Sequence, residues 1–99
     1  MNITQNQQSD TMLLSLEGKL DTLTAPELTA TIEPLIGHYP AFILDFTDLA
    51  YISSAGLRSL LSAQKKVTAK KETLRIVHCN EMVRSVFKMT KFDQILTIE

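Results

Sequence analysis

Residues 53–57 read Ser-Ser-Ala-Gly-Leu and follow the run DFTDLAYI of residues 45–52. Two hydroxyls ahead of small residues, with leucine opening an apolar periodic segment, mark a helix start. The spacing predicts Ser54 as the N-cap and Leu57 as the first core contact. The amides of a helix N-terminus are unpaired and carry about half a positive charge. An anion carried by Ser54, such as a phosphate, is therefore well accommodated there. On local evidence alone, Ser54 caps the helix and does nothing else. Arg58, one turn on, can pair with a phosphate, meet a partner or simply be solvated. Functional sites in open α/β sheets gather where strands end and helices begin, and the acids Asp21, Asp45 and Asp48 are expected at that same end.

Other chemistries find little to work with. His38 and His78 have no cysteine or carboxylate at metal-ligand spacing, and the alternation of His78 with Ile76 predicts a structural strand residue. No G-x-S-x-G elbow surrounds a serine. Only Gly18, Gly37 and Gly56 occur, so there is no glycine-rich phosphate loop. Cys79 is the single cysteine and reads as a half-buried apolar residue. The lysines 65, 66, 70 and 71 suit a helix C-terminus, and no aromatic residue is interleaved as in a nucleic-acid surface. Met12, Met82 and Met89 are expected in the core. No catalytic group, metal or cofactor is assigned.

The frame that positions Ser54 is small. The chain has 99 residues, 44% of them hydrophobic and 21% charged, with a net charge of −1. That is the composition of one folded domain, not of a disordered chain. No apolar run approaches a membrane span, the N-terminus lacks the features of a secretory signal, and a reducing, cytoplasmic setting is expected. Charge is uneven: residues 1–54 sum to −6 and residues 55–99 to +5.

Along the chain, residues 2–8 give a weak strand signal and Ser9-Asp10 a turn. Residues 11–17 place Met12, Leu14 and Leu16 on one face at the strand period. Thr24-Ala-Pro-Glu27 predicts a capping box opening a helix, with Leu28, Ile32, Leu35 and Ile36 inward and a kink or early end at Pro34. Residues 41–46 suit a central strand buried on both faces. Residues 54–70 form a helix with Leu57, Leu60, Leu61, Gln64 and Val67 along one stripe. Residues 73–79 are a strand, Asn80 caps a helix carrying Met82, Val83, Val86 and Phe87, and residues 95–98 are a last strand. The order ββαβαβαβ gives an α/β fold: a small mixed β-sheet with an N-terminal antiparallel hairpin and parallel βαβ units.

The stretch D-F-T-D-L-A-Y-I-S-S-A-G-L-R-S-L-L (45–61) resembles the signature of the STAS domain, and within it the bacterial anti-sigma factor antagonists. Gly18-Lys19-Leu20-Asp21, Ile43-Leu44-Asp45, the run from Arg75 to Lys88 and Phe92-Asp93 add to the resemblance, which covers roughly residues 11–98. It implies a single STAS domain over residues 1–99 and a non-enzymatic, cytoplasmic switch. The unphosphorylated form binds an anti-sigma factor that is a serine kinase and so frees a sigma factor. Phosphorylation at the position of Ser54 releases it, and a serine phosphatase resets it. Asp21, Asp45, Asp48, Ser53, Ser54, Gly56 and Arg58 would then meet the partner. No nucleic acid or membrane is implied, and the isolated chain is expected to be a monomer. Many switch-type relatives carry Asp where Ser53 stands, which makes Ser53 a rival acceptor to Ser54, and many have a further C-terminal helix.

Two other roles compete. STAS proteins also serve as subunits that dock on the ATPase of lipid-transport ABC systems. A small nucleotide or lipid binder would need a pocket, which the sequence does not show.

Overall fold

The computed structural model describes all residues from Met1 to Glu99. Five strands, β1 (Asn2–Gln8), β2 (Thr11–Leu20), β3 (Ala41–Ile52), β4 (Thr73–Val77) and β5 (Thr97–Ile98), alternate with three α-helices, α1 (Ala25–Ile32), α2 (Ser54–Ala69) and α3 (Glu81–Thr90). The expected ββαβαβαβ order is the observed one.

The hairpin forms despite the polar sequence of β1. Ser9 takes φ 57° in the two-residue turn, and β1 pairs antiparallel with β2 along its whole length, from Asn2 opposite Glu17 to Gln8 opposite Thr11. From β2 onward every pairing is parallel, and the strand order is β1-β2-β3-β4-β5. Each crossover therefore steps the same way. Right-handed crossovers that all step one way place α1, α2 and α3 on a single face of the sheet.

Burial follows from that topology. Met12, Leu14, Leu16, Phe42, Leu44, Phe46, Leu74 and Ile76 are buried beneath the helices with Leu28, Ile32, Leu57, Leu60, Val67, Val83 and Phe87. The alternate residues Leu13, Ser15, Ala41, Ile43, Asp45, Arg75 and Val77 are only half-buried. This corrects the expectation for residues 41–46: β3 is central in the sheet but covered on one face only. Phe46 and Phe87 stack with ring centroids 6.5 Å apart, tying α3 to β3.

Several boundaries differ from the sequence reading for local reasons. The helix α1 ends at Ile32 and Pro34 sits in the 3-10 turn Glu33–Leu35, as its missing N–H requires. Strand β4 stops at Val77, because His78 turns left-handed (φ 63°) and is exposed, so it is not a strand residue. Strand β5 shortens to Thr97–Ile98, while Leu96 is buried just ahead of it. Met12 is buried as expected, but Met82 and Met89 are exposed, at 48% and 82%. In α3 the inward stripe is carried by Val83 and Phe87 alone, with Val86 partly buried.

Strand β3 also runs further than its apolar core. Beyond Asp45 it leaves β4 and stays paired with β2 alone, Asp48 beside Glu17 and Ile52 beside Leu20, with irregular register near Ser15/Glu17 and Gly18/Lys19. This two-stranded extension carries the chain into α2.

Candidate functional site

Three strand-to-helix junctions lie at the C-terminal ends of the parallel strands β2, β3 and β4, and so share one end of the sheet. The middle one is Ile52-Ser53-Ser54. Pairing with β2 holds the backbone extended as far as Ile52, and the amide of Ser53 still donates to the carbonyl of Leu20 at 2.9 Å. Ser53 is therefore the residue at which the chain turns. Its backbone is extended (φ −102°, ψ 176°), its Oγ accepts from the amide of Gly56 at 3.3 Å, and its carbonyl accepts from the amide of Leu57 at 2.9 Å. Ser53, not Ser54, is the N-cap, which corrects the expectation by one residue.

The consequence for Ser54 is direct. It is the first residue of α2, it is exposed, and its hydroxyl has no hydrogen bond within the chain. Its Oγ stands at the end of the helix where orphan amides and the positive end of the dipole favour an anion. Arg58 lies one turn on, exposed and outside the intrachain ion pairs. Long helical side chains lean toward the N-terminus over the residue four positions earlier, so the guanidinium has Ser54 within its natural reach.

Gly56 is buried and makes the junction tight. A Cβ on it would stand 2.7 Å from the Leu20 carbonyl oxygen. Only glycine lets the first turn of α2 settle onto the end of β2.

At the β2–α1 junction the expected capping box of Thr24 and Glu27 does not form. Asp21 instead organises the turn that leads into α1. Its Oδ1 accepts from the amides of Leu23 (3.0 Å) and Thr24 (3.1 Å), and its carbonyl accepts from the amide of Ala25 (2.8 Å). Thr24 Oγ1 accepts from the Asp21 amide at 2.8 Å and donates to the Lys19 carbonyl at 2.6 Å. The Thr24 amide, followed by the Thr24 hydroxyl and the Leu23 amide, holds the Asp21 carboxyl below its ordinary 3.8 against the opposing pull of desolvation.

At the β4–α3 junction Asn80 does two jobs. Its Oδ1 accepts from the Val83 amide at 2.8 Å and caps α3, as the sequence predicts, while its Nδ2 donates to the Leu49 carbonyl at 3.1 Å. That second bond ties α3 to the β3 extension. Partial burial pushes the Cys79 thiol up, with Arg84 opposing.

The acids expected together are divided. Asp48 is exposed on the β3 extension beside Glu17, in the segment that leads to Ser54. Asp45 is on the uncovered face of the sheet, seven positions before Ile52, with Oδ1 accepting from the Thr47 amide (2.9 Å) and hydroxyl (2.6 Å). Seven strand positions span roughly 20 Å, so Asp45 stands apart from Ser54.

The sequence reading missed an apolar component. Leu23 is 85% exposed in the β2–α1 junction, Tyr51 is 42% exposed just before the turn into α2, and Met82 is exposed in the first turn of α3. One exposed apolar side chain thus accompanies each junction. Leu23 carried a readable signal, since it stands just ahead of the predicted cap Thr24, off the inward stripe of α1. The charge asymmetry also acquires a place: because strand order equals chain order, the acidic half forms the β1–β3 side and the basic half the β4–β5 side. No helix is long and apolar enough to cross a membrane.

Comparison with known proteins agrees with this architecture. No curated protein matches the sequence significantly. Among solved structures, TM1081 of Thermotoga maritima superposes with a TM-score of 0.90 at 20% identity, over 97% of this chain and 84% of that one. An anti-sigma factor antagonist from Mycobacterium paratuberculosis gives 0.88 at 20% identity, over 98% and 83%. The anti-sigma factor antagonist SpoIIAA gives 0.77 at 19% identity in its unphosphorylated form, over 99% and 87%. Its phosphorylated form, from Bacillus, gives the same score and identity, over 99% and 91%. A sulfate transporter family protein from Wolinella succinogenes shares the fold at 0.81 and 15% identity, over 90% and 73%. At these identities the likeness is one of fold. The STAS domain family model matches residues 2–99, and the chain belongs to that family.

Proposed function

We propose that this protein is an anti-sigma factor antagonist that binds a serine-kinase anti-sigma factor and is released by phosphorylation of Ser54. The observation that carries the reading is the division of labour at the start of α2. Ser53 spends its hydroxyl on the cap, whereas Ser54 presents a free, exposed hydroxyl at a helix N-terminus. A kinase needs such an accessible acceptor, and the product phosphate sits where the dipole tolerates it. Ser53, half-buried and engaged, is the poorer acceptor.

The surface around Ser54 suits a protein partner. Leu23, Tyr51 and Met82, exposed at the three junctions of this sheet end, offer apolar contact, with Asp48 and Arg58 as exposed charges on the segments before and after Ser54. Asp21, Ser53 and Gly56 shape this surface more than they touch across it. Asp45, on the other face, lies outside it.

Release follows from charge. Phosphorylation adds about −1.5 to −2 charges at the centre of the contact. The helix N-terminus stabilises that charge in the free protein, so the fold is kept while the interface is lost. The matching superposition of both forms of SpoIIAA is in keeping with a fold that serves both states. The catalytic groups belong to the kinase and to a serine phosphatase that resets the switch.

The test is capture of partners from the native lysate by the wild-type chain and by Ser54→Asp. Wild type is expected to retain a kinase-type anti-sigma factor that the variant loses. Equal retention of a transporter ATPase by both would replace this reading with a transport subunit in which Ser54 has no switching role.

A further inference from the structure

We propose that β1 is a self-pairing edge through which two copies of this chain form a weak two-fold dimer with one continuous sheet. The proposal rests on the free edge and is independent of the role of Ser54.

The two edges of the sheet are built differently. At one, β5 is only two residues long, Thr97–Ile98, a length that gives little template for pairing. At the other, β1 is seven residues, NITQNQQ, with no charge, no proline and an unbroken register against β2. The usual devices that blunt an edge are a lysine, a proline, a bulge or an inward-pointing charge. Strand β1 has none of them.

Its register fixes which backbone groups are unpaired. The two-residue turn makes Gln8 and Thr11 the closing hydrogen-bonded pair, and such pairs alternate along an antiparallel ladder. Asn2, Thr4, Asn6 and Gln8 therefore bond to β2, and Ile3, Gln5 and Gln7 turn their N–H and C=O groups outward. Placing a second β1 antiparallel, with Gln5 opposite its own copy, sets each Ile3 opposite the other copy's Gln7. Every outward group then finds a partner, in about six backbone hydrogen bonds. No other antiparallel register satisfies all of them.

The side chains are compatible with this register. Opposed pairs are Gln5 with Gln5, Thr4 with Asn6, Ile3 with Gln7 and Asn2 with Gln8. None sets like charges opposite one another, and Asn and Gln side chains can pair by their amides. A strand-to-strand contact buries less than the roughly 1,000 Å² typical of stable complexes, so association is weak and concentration-dependent. The two-fold axis crosses the sheet, so the helices of both copies lie on the same side and both Ser54 sites remain open.

Gln5 sits on the axis and supplies the test. Sedimentation equilibrium of the wild-type chain from micromolar to millimolar concentration is expected to show the weight-average mass rising toward twofold. Gln5→Pro removes an outward N–H without touching the β2 ladder and is expected to stay monomeric with an unchanged circular dichroism spectrum. Gln5→Lys and Gln5→Glu each place like charges on the axis and are expected to stay monomeric alone, and to recover the dimer when mixed in equal amounts. A wild type that is monomeric throughout overturns the proposal. So does a Gln5→Pro chain that dimerises like wild type, or a charge pair that is not restored by mixing.

Discussion

A Cβ placed on Gly56 would stand 2.7 Å from the carbonyl oxygen of Leu20, and 2.9 Å from both Leu20 Cγ and Ile52 Cγ1. The same carbonyl accepts the amide of Ser53 at 2.9 Å. The first turn of α2 is thus seated on the end of β2, and the position of Ser54 depends on that seat.

Gly56→Ala tests it. Alanine in a helix gains about 1 kcal/mol of intrinsic propensity over glycine. Overpacking costs about 1–3 kcal/mol, and here the opposing atom is backbone, which cannot rotate away. The clash is expected to win. Urea denaturation should show a lower midpoint for the variant, with amide shifts perturbed at Leu20, Ile52 and Ser54. A variant more stable than wild type would show that α2 is not held this closely.

The two adjacent serines separate stability from modification. Ser53→Ala removes the cap and is expected to cost about 1 kcal/mol. Ser54→Ala removes an exposed hydroxyl with no intrachain bond and is expected to stay within about 0.5 kcal/mol of wild type. On the proposed switch, phosphate incorporation by a kinase-type anti-sigma factor, read by intact mass, should show the reverse order: lost in Ser54→Ala and retained in Ser53→Ala. A larger loss in Ser54→Ala than in Ser53→Ala would return the capping role to Ser54.

Much of the fold was legible because local signals agreed with one another. Pro34 marked the end of α1, Gly56 and Leu57 the start of α2, and Asn80 the start of α3, so the element order followed from spacing alone. The cap could not be placed between Ser53 and Ser54, because that depends on how far β3 stays paired with β2, a long-range fact. Nor could the alternation at Phe42, Leu44 and Phe46 be recognised as one-sided burial. Ile43 is as apolar as its neighbours, and only the one-way crossovers leave it half-covered. Met82 and Met89 satisfy a helical period yet face outward, since α3 needs only Val83 and Phe87 to seal its stripe.

Asn80→Ala is expected to cost more than an ordinary cap. It removes the acceptor for the Val83 amide and also the donor to the Leu49 carbonyl. A cap is worth about 1 kcal/mol and a further hydrogen bond about 0.5–1.5 kcal/mol. Asn80→Asp keeps the first bond and loses the second, so its stability should fall between the two. If Asn80→Asp matches wild type in urea, the bond to Leu49 contributes nothing and α3 is held to the β3 extension by its cap and packing.

Asp21 gives the fold an acid-sensitive element. Its carboxyl is held below 3.8 in the folded state, first by the Thr24 amide, then by the Thr24 hydroxyl and the Leu23 amide, with Lys19 adding a coulombic contribution. A group whose folded value is depressed stabilises the fold fully above its unfolded value, and that contribution is lost as pH falls through the folded value. Above pH 5 the charged carboxylate should hold the Leu23 and Thr24 amides ahead of α1 at full strength, and the loss should begin near pH 4 and continue below it. Asp21→Asn keeps an oxygen for the two amides but no charge. The variant is expected to be less stable than wild type at neutral pH and to lose less on acidification, so the two urea midpoints should converge as the pH falls below 4. Parallel midpoints across this range would mean that Asp21 is solvated in the folded chain and that the β2–α1 junction is held by Thr24 alone.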